Sequence, residues 1–239
     1  MIMPALIAMS DTPHTTSARS LRSKLLSRAL RFGFRQFYTN FAWTYDAVAA
    51  TVSLREWKAW GRTAIQFLDP RMRILEVAVG PGHLQLALRQ SGYSAVGIDL
   101  SPQMCALAAN RLRRAGLSNT IARGSVFTLP FAADSFDAVV STFPTEYIYA
   151  EQMHHEVWRV LRPGGRLIVV STAALRNAVI RAVMRLTSTT PSDLPDVHTL
   201  FESEGFTFAE HQVPTPRADV FVWLIQKPAA HQQLLLGQI

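Results

Sequence analysis

At 239 residues the chain is long enough to bury one sizeable core in one or two domains, and its balance of 49% hydrophobic to 17% charged residues excludes an intrinsically disordered protein. The single cysteine, Cys105, excludes an intramolecular disulfide and a cysteine-built zinc cluster, and no run of 18 apolar residues is present to span a bilayer. The net charge of +7 lies mostly at the front: residues 1–62 carry nine Lys or Arg against three acids, a pattern that attracts anionic membrane or nucleic acid.

The opening Met1 to Ala8 is apolar but short and lacks a positive leader, which makes it a poor secretory signal. Residues 1–18 are expected to be a disordered lead, because Ser, Thr and Pro crowd residues 9–18. From Ser20 the pattern turns helical: Lys24, Arg28, Arg31 and Arg35 share a face, and Leu26, Leu30, Phe34, Phe37 and Phe41 form an apolar stripe. Such a helix either lies on an anionic membrane surface or docks on the domain as a lid, and the second reading is preferred because Gly33 weakens a free-standing helix. Residues 19–66 are therefore assigned to a basic helical lid, in which Trp57 and Trp60 share a helix face and are read as packing.

The stretch that organises the chain is Arg73 to His83. An apolar β-branched run, interrupted by Glu76, breaks into Gly80-Pro81-Gly82 and then into helical spacing. This predicts a buried strand, a tight turn and a helix whose free N–H groups and bare glycine backbone can approach a ligand. A second strand, Tyr93 to Asp99, ends in a carboxylate placed to accept both hydroxyls of a ribose. Two nucleotide families use that arrangement, and the missing third glycine after Gly82 disfavours a nicotinamide dinucleotide. Ser101-Pro102 opens the next helix with an N-cap and a first-turn proline, and Cys105 within it is expected to be a buried small apolar residue. Residues 120–126 are expected to form a third strand, Ser135 to Ser141 a fourth, and the Pro163-Gly164-Gly165 turn leads into a fifth. The alternation argues for a parallel sheet with right-handed crossovers. His154 and His155 are consecutive on a helix and cannot face one metal, so no metal is expected. Between the fifth strand and a closing hairpin (206–213 and 219–226), residues 173–204 carry an amphipathic stripe from Leu175 to Leu186, and Asp196 or Thr199 caps the helix leading to Gly205.

Taken together, Glu76 to Gly82, Asp99, Gly124 to Phe131, Ser135 to Ser141 and Val160 to Ile168 resemble the class I S-adenosylmethionine-dependent methyltransferases, closest in pattern to the quinone-biosynthesis C-methyltransferase-like group. The resemblance covers about residues 73 to 172 and implies a Rossmann-like α/β sandwich, with a seven-stranded, mostly parallel sheet whose last strand is antiparallel. It implies S-adenosylmethionine as cofactor, bound by residues 67–228, with the insert 173–204 over the acceptor pocket and 229–239 as a tail. By the same likeness, Glu76, Ala78, Gly80, Gly82, Asp99, Leu100, Met104, Ser125, Val126, Phe127 and Thr142 line the cofactor, and Tyr45 closes over its methionine part. The sequence departs from the family twice. Ala78 stands at the first motif glycine, and Ser125 stands where many members carry an adenine-reading Asp.

Methyl transfer is an in-line displacement, so the protein's main task is alignment, and a base is needed only for a protonated acceptor. Candidates for that base are Glu146, Tyr147 and His198, each of which can equally be structural. The segment Ser141-Thr142-Phe143-Pro144 lacks the Asn-Pro-Pro-Tyr pattern of amino-methylation of nucleic-acid bases or glutamine, which argues against those substrates and a specific nucleic-acid partner, while the resemblance implies a small apolar acceptor of aromatic, quinone-like or lipid-like character. A cytoplasmic enzyme is the expectation, with peripheral contact between its basic front and an anionic membrane left open as the second reading. The alternatives are a nicotinamide oxidoreductase and a methyltransferase-like binding module without turnover.

Overall fold

The computed structural model describes residues 56–176 and 196–230. Residues 20–41, expected to form the basic helix, Tyr45, and most of the residues expected to form the insert helix lie outside the described residues. The described chain opens with α1 (Trp57–Gly61), continued by a 3-10 turn at Arg62–Phe67, and then enters β1 (Arg73–Val77), α2 (His83–Gln90), β2 (Ser94–Asp99) and α3 (Pro102–Arg114). It continues through β3 (Ile121–Arg123), β4 (Phe136–Thr142), a 3-10 turn at Glu146–Tyr149, α4 (Glu151–Val160) and β5 (Leu161–Leu175). After the insert come α5 (Val197–Ser203), β6 (Thr207–Pro214) and β7 (Ala218–Gln226).

The strands form one seven-stranded sheet in the order β3-β2-β1-β4-β5-β7-β6. The first five are mutually parallel, and β7 runs antiparallel to both β5 and β6. The strand order reverses between the parallel neighbours β1 and β4, and a ligand crevice opens at the carboxyl ends of strands where the chain turns to opposite sides in this way. Alternation along β1 sends Ile74 to one face and Leu75 and Val77 to the other. On the first face Trp60, Ala64, Leu84 and Leu88 pack over Ile74, Val140, Ile168 and Val222; on the second, Met153, Val157 and Phe201 pack over Val139, Leu167 and Ile225. Both faces are buried, as a parallel sheet requires. Ser101 accepts from the Met104 amide and caps α3, and Asp196 accepts from the His198 amide and the Thr199 hydroxyl and caps α5.

Three sequence expectations are corrected. The third strand ends at Arg123 rather than at residue 126, because the Ser125 hydroxyl accepts from Phe127 N at 3.2 Å and turns the chain. Leu175, the first residue of the expected insert helix, is still in β5, paired with Ala218, and Arg176 forms an ion pair with Asp219. Cys105 is partly exposed rather than buried, its thiol lying 3.5 Å from Asp99 O and 3.6 Å from Ala122 O.

Candidate functional site

The turn between β1 and α2 places three left-handed residues in five positions: Ala78 (φ 54°), Gly80 (φ 53°) and Gly82 (φ 78°). The two glycines serve different ends. A side chain on Gly82 would begin 2.6 Å from Ala108 Cβ and 2.8 Å from its Cα, so bare backbone there lets α2 seat against α3. A side chain on Gly80 would meet nothing within 4 Å, so this residue presents open main chain. Ala78 holds a conformation that costs an L-residue about 1–2 kcal/mol, and backbone strain of this kind gathers at ligand sites.

Asp99 closes the other side. Its Oδ2 accepts from Gly80 N and its Oδ1 from Ser101 N, each at 2.8 Å, which leaves further lone pairs on both oxygens for a ligand hydroxyl. Burial raises its pKa, and the amides of Ser101 and Gly80 oppose the rise. Leu100 follows as an exposed apolar side chain, 66% accessible. Behind the turn, Glu76 is 1% accessible and its Oε2 has no hydrogen-bond partner. Burial holds the Glu76 carboxyl well above its usual pKa, and the charge of Asp99 adds to this. An unpaired buried carboxyl is costly, and a cationic or N–H-rich ligand group would relieve it.

At the end of β4, Ser141 Oγ and the Tyr147 hydroxyl lie 2.7 Å apart. Burial pushes the Tyr147 phenol up to about 12; the Ser141 contact opposes the shift, and the charges of Asp99 and Glu76 add to it. Tyr147 therefore keeps its proton at neutral pH. Phe143 has φ 49°, donates its amide to Val170 O at 2.7 Å and lies 4.0 Å, ring to ring, from Trp57. Thr142 is half-buried beside it.

The remaining predicted residues divide between the site and its surroundings. Met104 is wholly buried, and Val126 and Phe127 are half-buried against the second core face. Ser125 uses its oxygen within the β3 exit turn. Glu146 is exposed. His198 sits on α5 beside Glu202 (3.3 Å), with its ring against Phe208 of β6. β6 is the sheet's outer edge, four places from β1, so the Phe208 contact places His198 among elements well away from the crevice. The sequence reading passed over Glu156 and Arg159 on α4, although their acid-to-base spacing of three on a helix marks them as a pair.

A carboxylate for a ribose, an unpaired buried carboxyl for an ammonium group, and open backbone between them fit S-adenosylmethionine. Residues 75–169 match the methyltransferase domain family. That match and the strand order give this domain the Rossmann-like fold of the class I methyltransferases. The chain is 32% identical over 158 residues to the demethylmenaquinone methyltransferase of Deinococcus radiodurans, a match covering 64% of this chain and 65% of that one. It is 29% identical to the ubiquinone/menaquinone biosynthesis C-methyltransferase of Roseobacter denitrificans over 63% of each. The chain thus spans just under two thirds of the length of these relatives. The methyltransferase domain also superposes on an S-adenosylmethionine-dependent methyltransferase from Methanosarcina mazei with TM-score 0.52 and 22% identity, covering 70% of this chain and 97% of that one. Family and fold imply S-adenosylmethionine as the cofactor of this domain. Among the described residues no helix is long and apolar enough to cross a membrane, and no group of three metal-ligating side chains is present.

Proposed function

We propose that this chain transfers a methyl group from S-adenosylmethionine to a small, apolar, aromatic or quinone-like acceptor. The observation that carries the reading is the pairing of Asp99 with the unpartnered Glu76 carboxyl across the open Gly80 backbone. The cofactor's sulfonium supplies an activated methyl and its leaving group. Asp99 would accept from the ribose hydroxyls, Glu76 would receive the ammonium group, and Gly80 would lie along the amino-acid part without a side chain in the way. Alignment of acceptor and methyl can lower the barrier by several kcal/mol, which makes the residues after β4 the ones that matter for the acceptor. There Phe143 and Trp57 offer an apolar aromatic surface rather than charge, and Tyr147 remains a phenol able to donate a hydrogen bond but not to take a proton. The names of the Deinococcus and Roseobacter relatives support a quinone-like acceptor.

The test has two arms. Calorimetry should show binding of S-adenosylhomocysteine and none of NADH, and Asp99→Ala should weaken that binding at least about tenfold, since a hydrogen bond to a charged group contributes roughly 1.5–3 kcal/mol. Incubation with methyl-labelled cofactor and a fractionated cell extract should place label in the organic-solvent phase. Label confined to polar metabolites or nucleic acid would overturn the acceptor class, and NADH binding in place of S-adenosylhomocysteine would overturn the enzyme class.

A further inference from the structure

The chain leaving β3 runs beside Asp99. Gly124 N donates to Asp99 O at 3.0 Å, and a side chain on Gly124 would start 3.6 Å from Ile98 at the end of β2. A nucleoside whose ribose sits on Asp99 therefore carries its base one strand further, over residues 124–129. The first turn of this loop is closed from within, by Phe127 N to Ser125 Oγ and Thr128 N to Ser125 O, both at 3.2 Å. Its second half is held from outside, by α4. Arg159 grips Glu156 with two prongs, Nε to Oε1 and Nη2 to Oε2, each 2.8 Å. The same guanidinium donates to Leu129 O (2.9 Å) and Phe131 O (2.6 Å), while Glu156 Oε2 accepts from Leu129 N (2.6 Å). Three backbone groups of one loop are thus fixed by one ion pair that itself stands outside the crevice.

We propose that the Glu156–Arg159 pair positions the β3 exit loop for adenine recognition, a role that rests on reading the crevice as an S-adenosylmethionine site. Ser125 brings no charge, and its oxygen is engaged with Phe127 N, so discrimination of an amino group from a carbonyl on the base falls to the loop's own N–H and C=O groups. Backbone groups discriminate only when they are held, because a slack loop can turn a donor or an acceptor toward either base. Arg159 is suited to the holding: its planar fork serves a carboxylate and two carbonyls at once, which a lysine ammonium on a flexible stem cannot reproduce. Glu156 is kept ionised below its ordinary range, chiefly by the hydrogen bond from Arg159. Neither residue is catalytic, since both act through residues 129–131.

The proposal is tested by the calorimetric affinities of S-adenosylhomocysteine and of S-inosylhomocysteine, in which the 6-amino donor becomes a carbonyl acceptor and the adjacent N1 acceptor becomes an N–H donor. Wild type, Glu156→Gln and Arg159→Lys are compared, with circular dichroism and thermal melting alongside. Wild type should prefer the adenosyl ligand by at least about tenfold, and each variant should lose most of that preference while kcat at saturating cofactor changes little. Variants that melt earlier yet keep the wild-type ratio would make the pair a plain fold contact and overturn the proposal. Failure of both variants to fold would overturn it in the same way. Wild type binding the two ligands equally would sink this inference and leave the cofactor reading standing, whereas wild type binding neither would sink the cofactor reading itself.

Discussion

Adding one methyl group at either motif glycine separates stability from binding. Gly82→Ala places a methyl carbon 2.6 Å from Ala108 Cβ, well inside the roughly 3.5–4 Å at which carbons pack, in a residue held at φ 78°. The left-handed conformation costs an alanine about 1–2 kcal/mol and the overpacking about 1–3 more, together about 2–5 kcal/mol. For a domain of this size that is a fall in Tm of about 4 to 20 °C. Gly80→Ala carries only the conformational cost, about 1–2 kcal/mol, because its methyl meets nothing within 4 Å. That methyl would stand in the crevice, and the affinity for S-adenosylhomocysteine should fall at least about tenfold, or 1.4 kcal/mol. Thermal melting with and without S-adenosylhomocysteine reads both quantities, since a ligand at a hundred times its Kd stabilises by about 2.7 kcal/mol. Wild type and Gly82→Ala should both gain the ligand shift, from different starting points, and Gly80→Ala should lose about half of it or more, since a tenfold weaker ligand at the same concentration stabilises by only about 1.4 kcal/mol. The reverse result, with Gly82→Ala binding-defective at normal Tm, would refute the division of the two glycines.

Ala78→Gly should stabilise the protein by about 0.5 kcal/mol: relief of about 1–2 kcal/mol of left-handed strain outweighs the about 0.4–1 kcal/mol of added unfolded-state freedom, and a Tm below wild type would show that the strain is absent. Glu76→Gln should raise the Tm of the ligand-free protein at pH 8 more than at pH 4.5. The folded-state pKa of Glu76 is raised, so in wild type its stabilising contribution is full below the unfolded value of about 4.5 and is lost as pH rises; an equal gain at both pH values would contradict this. The same variant should weaken S-adenosylhomocysteine, as read by calorimetry. Tyr147→Phe should remove a loss of stability between pH 10 and about 12, because the folded phenol holds a proton there that the unfolded one releases; kcat between pH 7 and 9 should show no step attributable to Tyr147, and a wild-type step that vanishes in the variant would restore it as a base.

Much of this architecture is visible in local patterns. The apolar run that ends in Asp99, the Gly80-Pro81-Gly82 break and the Ser101-Pro102 cap each signal their element within a few residues, and the closing hairpin is marked by two alternating runs around Pro214 to Ala218. What escapes depends on partners far along the chain. The separate purposes of Gly80 and Gly82 depend on Ala108, which only the packing of α2 on α3 brings close. His198 looks like a base in the sequence because distance across the sheet is set by strand order, and β6 happens to close the far edge. Glu156 and Arg159 resemble a solvated helix pair until their carbonyl and amide partners, 27 to 30 residues earlier, are in place. Ser125 fits a strand by pattern, yet its hydroxyl accepts from the Phe127 amide and ends the third strand early.

The placement of β1 beside β4 also fixes an order of assembly. β1 is complete by Val77, yet one of its two neighbours is not synthesised until Thr142, and the outer strands wait for Gln226. While the chain is still growing, the Ala78 to Gly82 turn and its carboxylates have a wall on one side only, and a nucleoside could not steady them. Newly made protein should therefore gain no help from cofactor until the second half has emerged, and cellular cofactor levels should act on the longevity of finished molecules rather than on the yield of folding.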